Sequence, residues 1–408
     1  CAPTPSPPPG CGSPSWNATG WAAAPPAATP GRSAPTWWNR SPPPASSAPR
    51  CAGCTARTAP WPSIRRPAPN WCASSSASGC APPHATTTAA RARSARSSKG
   101  TFELFEELEA LGVDGQAHKD GFLFAFPSRA YAAKALTAFR RLGAPIAAGG
   151  VLTGDALADT EPALTEGARA GFVVDDQWSL DPGLFVDRLA ERLRRQGVEL
   201  VEGARVSAVS ERAGRAEVRT SAGTYRSDAV VVAAGIWSRE LVRGLGVDLD
   251  LVAGKGYSFS VAAEPPPSRL VHLGAAKVVL TPMGKRVRVA GTMEFERDPD
   301  RFRRRRVEAI VAAARPYLRH ADWDDLQEEW VGPRPMTPDG LPLIGRVPGH
   351  SRVLLATGHN MLGLMLAPAT GRLVAGLLTG DADPALSSRF DPVRCARRYP
   401  WRVHGILN

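Results

Sequence analysis

Four groups of residues in this chain combine type and spacing in ways that could do chemistry. Arg334 opens Arg-Pro-Met-Thr-Pro-Asp-Gly, and its guanidinium fork could hold a carboxylate through two parallel hydrogen bonds, unless it is a surface or structural arginine. Tyr257, within Lys-Gly-Tyr-Ser, offers a hydroxyl, although a buried sheet tyrosine would look the same in sequence. Gly358 and Gly363 bracket His359, Asn360, Met361 and Leu362 just ahead of an apolar stretch. A helix opening there presents free N–H groups and the positive end of its dipole to an electron-rich partner. Ala234-Gly235-Ile236-Trp237 follows the apolar run 229–233, and small residues at such a turn let a ligand approach the backbone closely. A fifth group, Cys51-x-x-Cys54 with Cys72, Cys80 and His84, has one zinc-like pair. No second close pair follows, so no metal is expected.

The elements that must position these residues are legible from about residue 101. Leu104, Phe105, Leu108 and Leu111 share one helix face that Gly112 can end. Gly121–Pro127 is strand-like, and Ser128 caps a helix through about Leu142. Asp181-Pro182 starts a helix that Gly197 closes. Short strands are expected around Glu199–Val201, Arg205–Val209, Ala216–Thr220 and Thr224–Tyr225, followed by a buried parallel strand over Ala229–Ala233. Residues 250–300 are strand-rich, Asp298–Tyr317 has a basic helical pattern, and a strand at Val353–Ala356 precedes the helix that runs to about Leu378. The Arg303–Arg306 run is expected on the solvated face of a surface helix.

The first hundred residues have another texture. They contain no Asp, Glu, Val, Leu, Phe, Met, Tyr or Gln, yet hold 20 of the 39 prolines, six of the seven cysteines and six of the 11 tryptophans. Such a stretch cannot build a packed core. A disordered Pro/Ala/Ser tail is one reading. Six tryptophans and the lack of acids favour another, translation of a GC-rich gene out of frame. In the frame one base back, the codon for Trp16 forces Asn17 to become Glu, and Trp21 forces Ala22 to become Gly. The charge divides at the same point. Ten of the 50 basic residues and none of the 38 acids lie in 1–100, so the net +12 is poor support for nucleic-acid binding. No apolar run is long enough to span a bilayer and no secretory signal is present. One cysteine beyond residue 100, Cys395, suits the cytoplasm.

In order, 230–237 (VVVAAGIW), 254–260 (GKGYSFS), 334–345 (RPMTPDGLPLIG) and 357–371 (TGHNMLGLMLAPATG) resemble the D-amino-acid oxidase/dehydrogenase superfamily of FAD proteins, most closely its bacterial D-amino-acid dehydrogenase branch. The likeness covers about residues 101–393. It implies an α/β and α+β fold, with a Rossmann-like FAD-binding domain interleaved with a mixed-sheet substrate domain. The first would take 101–114, 180–245 and 330–394, the second 115–179 and 246–329. Residues 1–100 would be an irregular, frame-shifted remnant of the FAD domain and 395–408 an irregular tail. The peptide of the alternative frame resembles the acidic end of a second Rossmann strand, with the phosphate turn expected before Cys1. FAD contacts are implied at Val206, Ala234, Gly235, Trp237, Gly358, Asn360, Leu362 and Gly363. Substrate or flavin contacts are implied at Arg334, Tyr257 and His359. Met361 stands where glycine-oxidase-like members carry a second Arg, which favours an apolar pocket.

The implied reaction takes a hydride from the α-carbon of an amino acid or amine to flavin N5, with a quinone or dioxygen as electron acceptor and contact with a membrane surface left open. The competing readings are a truncated or frame-shifted flavoprotein remnant unable to hold FAD, and a basic nucleic-acid-binding protein.

Overall fold

The computed structural model describes residues 100–398, Arg297 apart. The anomalous first 99 residues, the candidate zinc ligands among them, and the last ten lie outside that range. In chain order the first elements are α1 (Thr101–Ala110), β1 (Phe122–Phe126), α2 (Arg129–Arg141), β2 (Leu152–Thr153), α3 (Asp155–Thr160), β3 (Ala170–Val174) and α4 (Pro182–Arg195). Then come β4 (Val206–Arg212), β5 (Arg215–Thr220), β6 (Gly223–Ser227), β7 (Val230–Val232), a tight turn at Gly235–Trp237 and α5 (Ser238–Arg243). The chain continues through β8 (Val247–Leu249), β9 (Val252–Ala262), β10 (Leu270–Leu273), β11 (Val278–Met283), β12 (Arg286–Phe295), α6 (Arg304–Ala314) and β13 (Gln327–Met336). It ends with β14 (Leu343–Arg346), β15 (Val353–Thr357), α7 (Gly363–Thr379), α8 (Pro384–Phe390) and β16 (Ala396–Arg398).

The caps are those the sequence announces. The Ser128 hydroxyl accepts from the Tyr131 N–H, and the Asp181 carboxylate accepts from the Gly183 and Leu184 N–H groups at 2.8 and 3.0 Å. Gly112 and Gly197 terminate their helices at positive φ, 84° and 80°.

The large sheet runs β13-β9-β12-β11-β10-β1-β3-β2, antiparallel throughout except for the parallel pair β1/β10. Strand periodicity gives it two faces. One carries Leu123, Tyr257, Phe259, Leu280 and Val289 and packs on Val307 and Ile310 of α6. The other is covered at one end by α2, where Phe126 and Phe172 meet Ala132 and Leu136. At its far end, over β9, β12 and β13, it carries Gly254, Gly256, Ser258, Ser260, Arg288 and Arg334. A second layer holds the parallel pair β7/β15, flanked by β14, and α7 packs against α1.

Several sequence expectations change. Glu199–Val201 forms no strand; once Gly197 has closed α4, Val198 and Val201 stay exposed. In β7 only Val232 is fully buried, because the strand is the edge of its sheet among the described residues. The boundary drawn at residue 330 falls inside β13, which pairs with β9 as far as Met336↔Val252, so the chain leaves the large sheet after Met336. The tail expected to be irregular from Cys395 is paired over Ala396–Arg398 with β8. The Arg303–Arg306 run is not simply a solvated face: Arg303 ion-pairs with Glu296, and Arg306 donates to Glu294 at 2.8 and 3.1 Å.

Candidate functional site

The β9/β13 ladder decides which residues share a site. Gly332 pairs with Gly256, Arg334 with Gly254, and Trp330 with Ser258. Directly paired residues point to the same face, so Trp330, Gly332 and Arg334 lie with Gly254, Gly256 and Ser258. Arg334 is buried, and its Nη1 donates to the Gly254 carbonyl at 3.3 Å. A Cβ at Gly256 would fall 2.1 Å from its Nη2 and 2.5 Å from its Cζ, so the guanidinium lies flat on bare backbone. Burial brings the group down to about 10, still charged at neutral pH.

Tyr257 is one residue on and therefore faces the opposite way. Its hydroxyl donates to Glu294 at 2.7 Å, in a buried cluster where Lys255 Nζ donates to Glu296 at 2.6 Å and to the Arg301 carbonyl at 2.8 Å. Burial and then the Glu294 bond push the phenol above its usual range. The structure therefore separates Tyr257 from Arg334 and corrects its assignment to the site. Parity along one strand is the physical reason.

The glycine-bracketed loop comes to the end of β13. The Asn360 N–H donates to the Pro335 carbonyl at 3.1 Å, and its Oδ1 accepts from the Thr337 N–H at 3.0 Å. Its Nδ2 donates to the Gly358 carbonyl at 3.0 Å and to Thr337 Oγ1 at 3.3 Å. With φ of 55°, Asn360 takes a left-handed conformation that its own side chain stabilises. Gly358, at φ 75°, lies so close to Thr337 that a Cβ would meet the methyl at 2.7 Å. The Thr357 hydroxyl donates to the Gly235 carbonyl at 2.7 Å, which joins the 234–237 turn to the end of β15. The carboxyl ends of the parallel strands β7 and β15 thus converge on one place, beside the strand that carries Arg334.

His359 faces the helix. Its Nε2 is 2.9 Å from the Thr370 hydroxyl, and burial lowers its pKa to about 4, so the ring is neutral. It is a packed, neutral histidine held by the helix that follows it. Leu362 precedes α7 and donates its N–H to the His359 carbonyl at 2.9 Å. Leu362, the N-cap of α7, makes no side-chain capping bond. Ala234 and Gly235 form a turn, Gly235 at φ 55° with no described residue within 4 Å of where a Cβ would stand, while Trp237 and Val206 are 46% and 37% exposed. Three residues that the sequence reading passed over prove structural to the site: Thr337, Thr357 and Thr370. Their hydroxyls make no periodic signal.

A family model described as "FAD dependent oxidoreductase" matches residues 65–377, and so begins within the anomalous segment. The chain belongs to this family. A D-amino-acid oxidase from Bradyrhizobium diazoefficiens is 31% identical over 70% of this chain and 69% of its own. A D-amino acid dehydrogenase from Rhizorhabdus wittichii is 36% identical over 50% of each chain. The chain thus spans about half the length of the D-amino acid dehydrogenases it matches. Among solved structures, glycine oxidase from Geobacillus kaustophilus superposes with a TM-score of 0.60 at 24% identity, over 76% of this chain and 82% of that one. The fold is shared with that enzyme, as the Rossmann-like expectation requires.

FAD, which the family implies, fits the donor set present. The start of α7, without a side-chain capping bond, offers N–H groups to an electron-rich ring edge, and the turn at Ala234-Gly235 admits a close neighbour. Asn360 and Leu362 shape the loop between them.

Proposed function

We propose that the protein is an FAD-dependent oxidoreductase acting on the CH–NH bond of an amino acid, with Arg334 as the carboxylate anchor. The observation that carries this is a buried guanidinium laid on bare strand backbone, on the strand whose end hydrogen-bonds the loop opening α7. FAD, when bound, would supply the hydride acceptor; loss of a hydride from the α-carbon and a proton from the amine would leave an imine that water hydrolyses to a 2-oxo acid and ammonia. The chain's own residues supply orientation. Arg334 fixes the carboxylate by a fork of charge-assisted bonds, which limits how the α-carbon can be presented. The N–H groups at the start of α7 favour negative charge beside them. Neither Tyr257 nor His359 is placed to take a proton from substrate, and orientation with electrostatic stabilisation requires no dedicated side-chain base.

In this reading the segments 101–114, 180–245 and 337–394 carry the cofactor, with Val206 and Trp237 contributing main chain, while the large sheet roofs the substrate. The electron acceptor is a quinone or dioxygen; oxygen uptake measured beside quinone reduction assigns it. Among the described residues no helix is long and apolar enough to cross a membrane. The buried thiol of Cys395, the free cysteine among them, supports a cytoplasmic site of action.

The test is direct. The protein expressed from its gene in the frame one base back over residues 1–100, purified with FAD, should show a flavin spectrum that an amino acid bleaches, whereas the chain as given should hold none. Arg334→Ala should raise KM for the amino acid and leave that spectrum unchanged. Kinetics unaltered by the substitution would remove Arg334 from the site, a frame-restored protein that takes up no flavin would refute the reading as a whole, and flavin held by the chain as given would refute the frame-shifted reading of residues 1–100.

A further inference from the structure

Arg334 does not stand alone on its face of the sheet. A Cβ at Gly332 would fall 2.2 Å from Cη2 of the Trp330 indole and within 2.8 Å of two more ring carbons, so the benzo ring covers Gly332 as the guanidinium covers Gly256. Those two glycines are direct cross-strand partners, which sets the ring beside the guanidinium. On the other side, a Cβ at Gly254 would meet Met336 Cγ at 2.7 Å and Met293 Sδ at 2.8 Å. Met293 Sδ is itself 3.9 Å from Arg334 Nη1. The anchor is therefore bounded by an indole and two thioethers, all soft and polarizable.

The next cation along the same face gives no second anchor. Arg288 Nη1 donates to Ser260 Oγ and Glu328 Oε2 at 3.0 and 3.1 Å, and its Nη2 donates to Ser258 Oγ and the Glu328 carbonyl, each at 3.0 Å. Its four terminal donors are used, and Glu328 balances its charge. A substrate with a second carboxylate finds no free partner there, and its approach to Glu328 is repulsive.

We infer that Trp330 is a specificity-determining residue: with the carboxylate on Arg334, its indole takes the substrate's side chain, favouring neutral amino acids with apolar or aromatic side chains over glycine and over acidic ones. This rests on the proposed role of Arg334.

The test uses the frame-restored, FAD-loaded protein and calorimetric binding of three carboxylate probes: acetate, benzoate and succinate. The wild type should prefer benzoate to both others. Trp330→Ala should lower the benzoate-to-acetate affinity ratio about tenfold or more, the scale on which apolar pockets discriminate, and Trp330→Phe should retain most of it. The ratio of kcat/KM for D-phenylalanine to that for glycine should fall in parallel. If Trp330→Ala fails to fold, Trp330→Leu, which keeps an apolar side chain and loses the ring, must lower the ratio instead. An unchanged ratio in the folded variant, or tight succinate binding by the wild type, overturns the inference. The role of Arg334 is judged separately. Arg334→Gln must weaken acetate and benzoate alike, and if it does not, the anchor fails whatever Trp330 does.

Discussion

Gly256 offers a perturbation that separates folding from function. Alanine there would place its Cβ 2.1 Å from Arg334 Nη2, 2.4 Å from Nη1 and 2.5 Å from Cζ. Ordinary carbon contacts lie at roughly 3.5–4.0 Å, so the guanidinium must lift by more than about 1 Å. It is the far end of a long, flexible side chain and can move, so the folding cost should sit near the low end of overpacking, about 1 kcal/mol. For a chain of this size that is a drop in Tm of roughly 1–2 °C. Function is less forgiving. A misplacement of about 1 Å in a positioning group can cost about a hundredfold. Gly256→Ala should therefore weaken acetate binding and raise KM for the amino acid by about ten- to a hundredfold, with a nearly normal melt and flavin spectrum. The same substitution made on Arg334→Met should have almost no further effect on binding, because the group it displaces is gone. Unchanged acetate affinity in Gly256→Ala, or an equal loss in the Arg334→Met background, would refute the reasoning.

Tyr257→Phe should cost about 1 kcal/mol of stability, since it removes the bond to Glu294 while the Arg306 bonds remain. It should leave carboxylate affinity unchanged; a raised KM would return Tyr257 to the site. His359 and His272 both have folded pKa values near 4, lowered by burial, against about 6.5 unfolded. The unfolded chain therefore takes up protons first, and stability that is full above pH 6.5 falls as pH drops to 4, by at most about 3 kcal/mol for each ring. Urea melts between pH 7 and 4 should show this, and His272→Phe should flatten the slope; an unchanged slope means His272 titrates normally in the fold. Asn360→Ala loses the side-chain bonds to Thr337 and Gly358 at a left-handed position, and should cost about 2–4 kcal/mol and weaken FAD binding. Asn360→Gly should recover only the backbone part, so a wild-type melt for that variant would show the bonds to be idle.

Much of the fold was legible because local chemistry and tertiary structure agree. Ser128 and Asp181-Pro182 cap the helices they announce, and Gly112 and Gly197 close theirs. The turns at Ala234-Gly235 and at Gly358 were legible because a turn that needs small residues next to an apolar element leaves a mark in composition. What failed was of another kind. The strand expected at Glu199–Val201 has apolar residues but no neighbour to pair with among the described residues. The pairing of Ala396–Arg398 with β8 depends on a partner about 150 residues earlier, which no local pattern encodes.

The site residues show where the limit lies. Periodicity tells the reader that Gly256 and Tyr257 face opposite ways, yet it cannot say which face is covered by α6 and which looks toward the loop at Gly358. His359 carries the same ambiguity on a loop, where its partner Thr370 lies two turns into the following helix. The glycines did hold the missing signal. Gly254 and Gly256 alternate along β9, and Gly332 precedes Arg334 by two on β13, so all three fall on one face if the strands pair as they do. Glycine inside a strand is destabilising unless something must lie against the backbone. Alternate glycines on two strands, with one arginine and one tryptophan in the same register, therefore mark the face on which those long side chains lie flat. By that argument the parity of the glycines, rather than the chemistry of the tyrosine, selects the working face of the sheet.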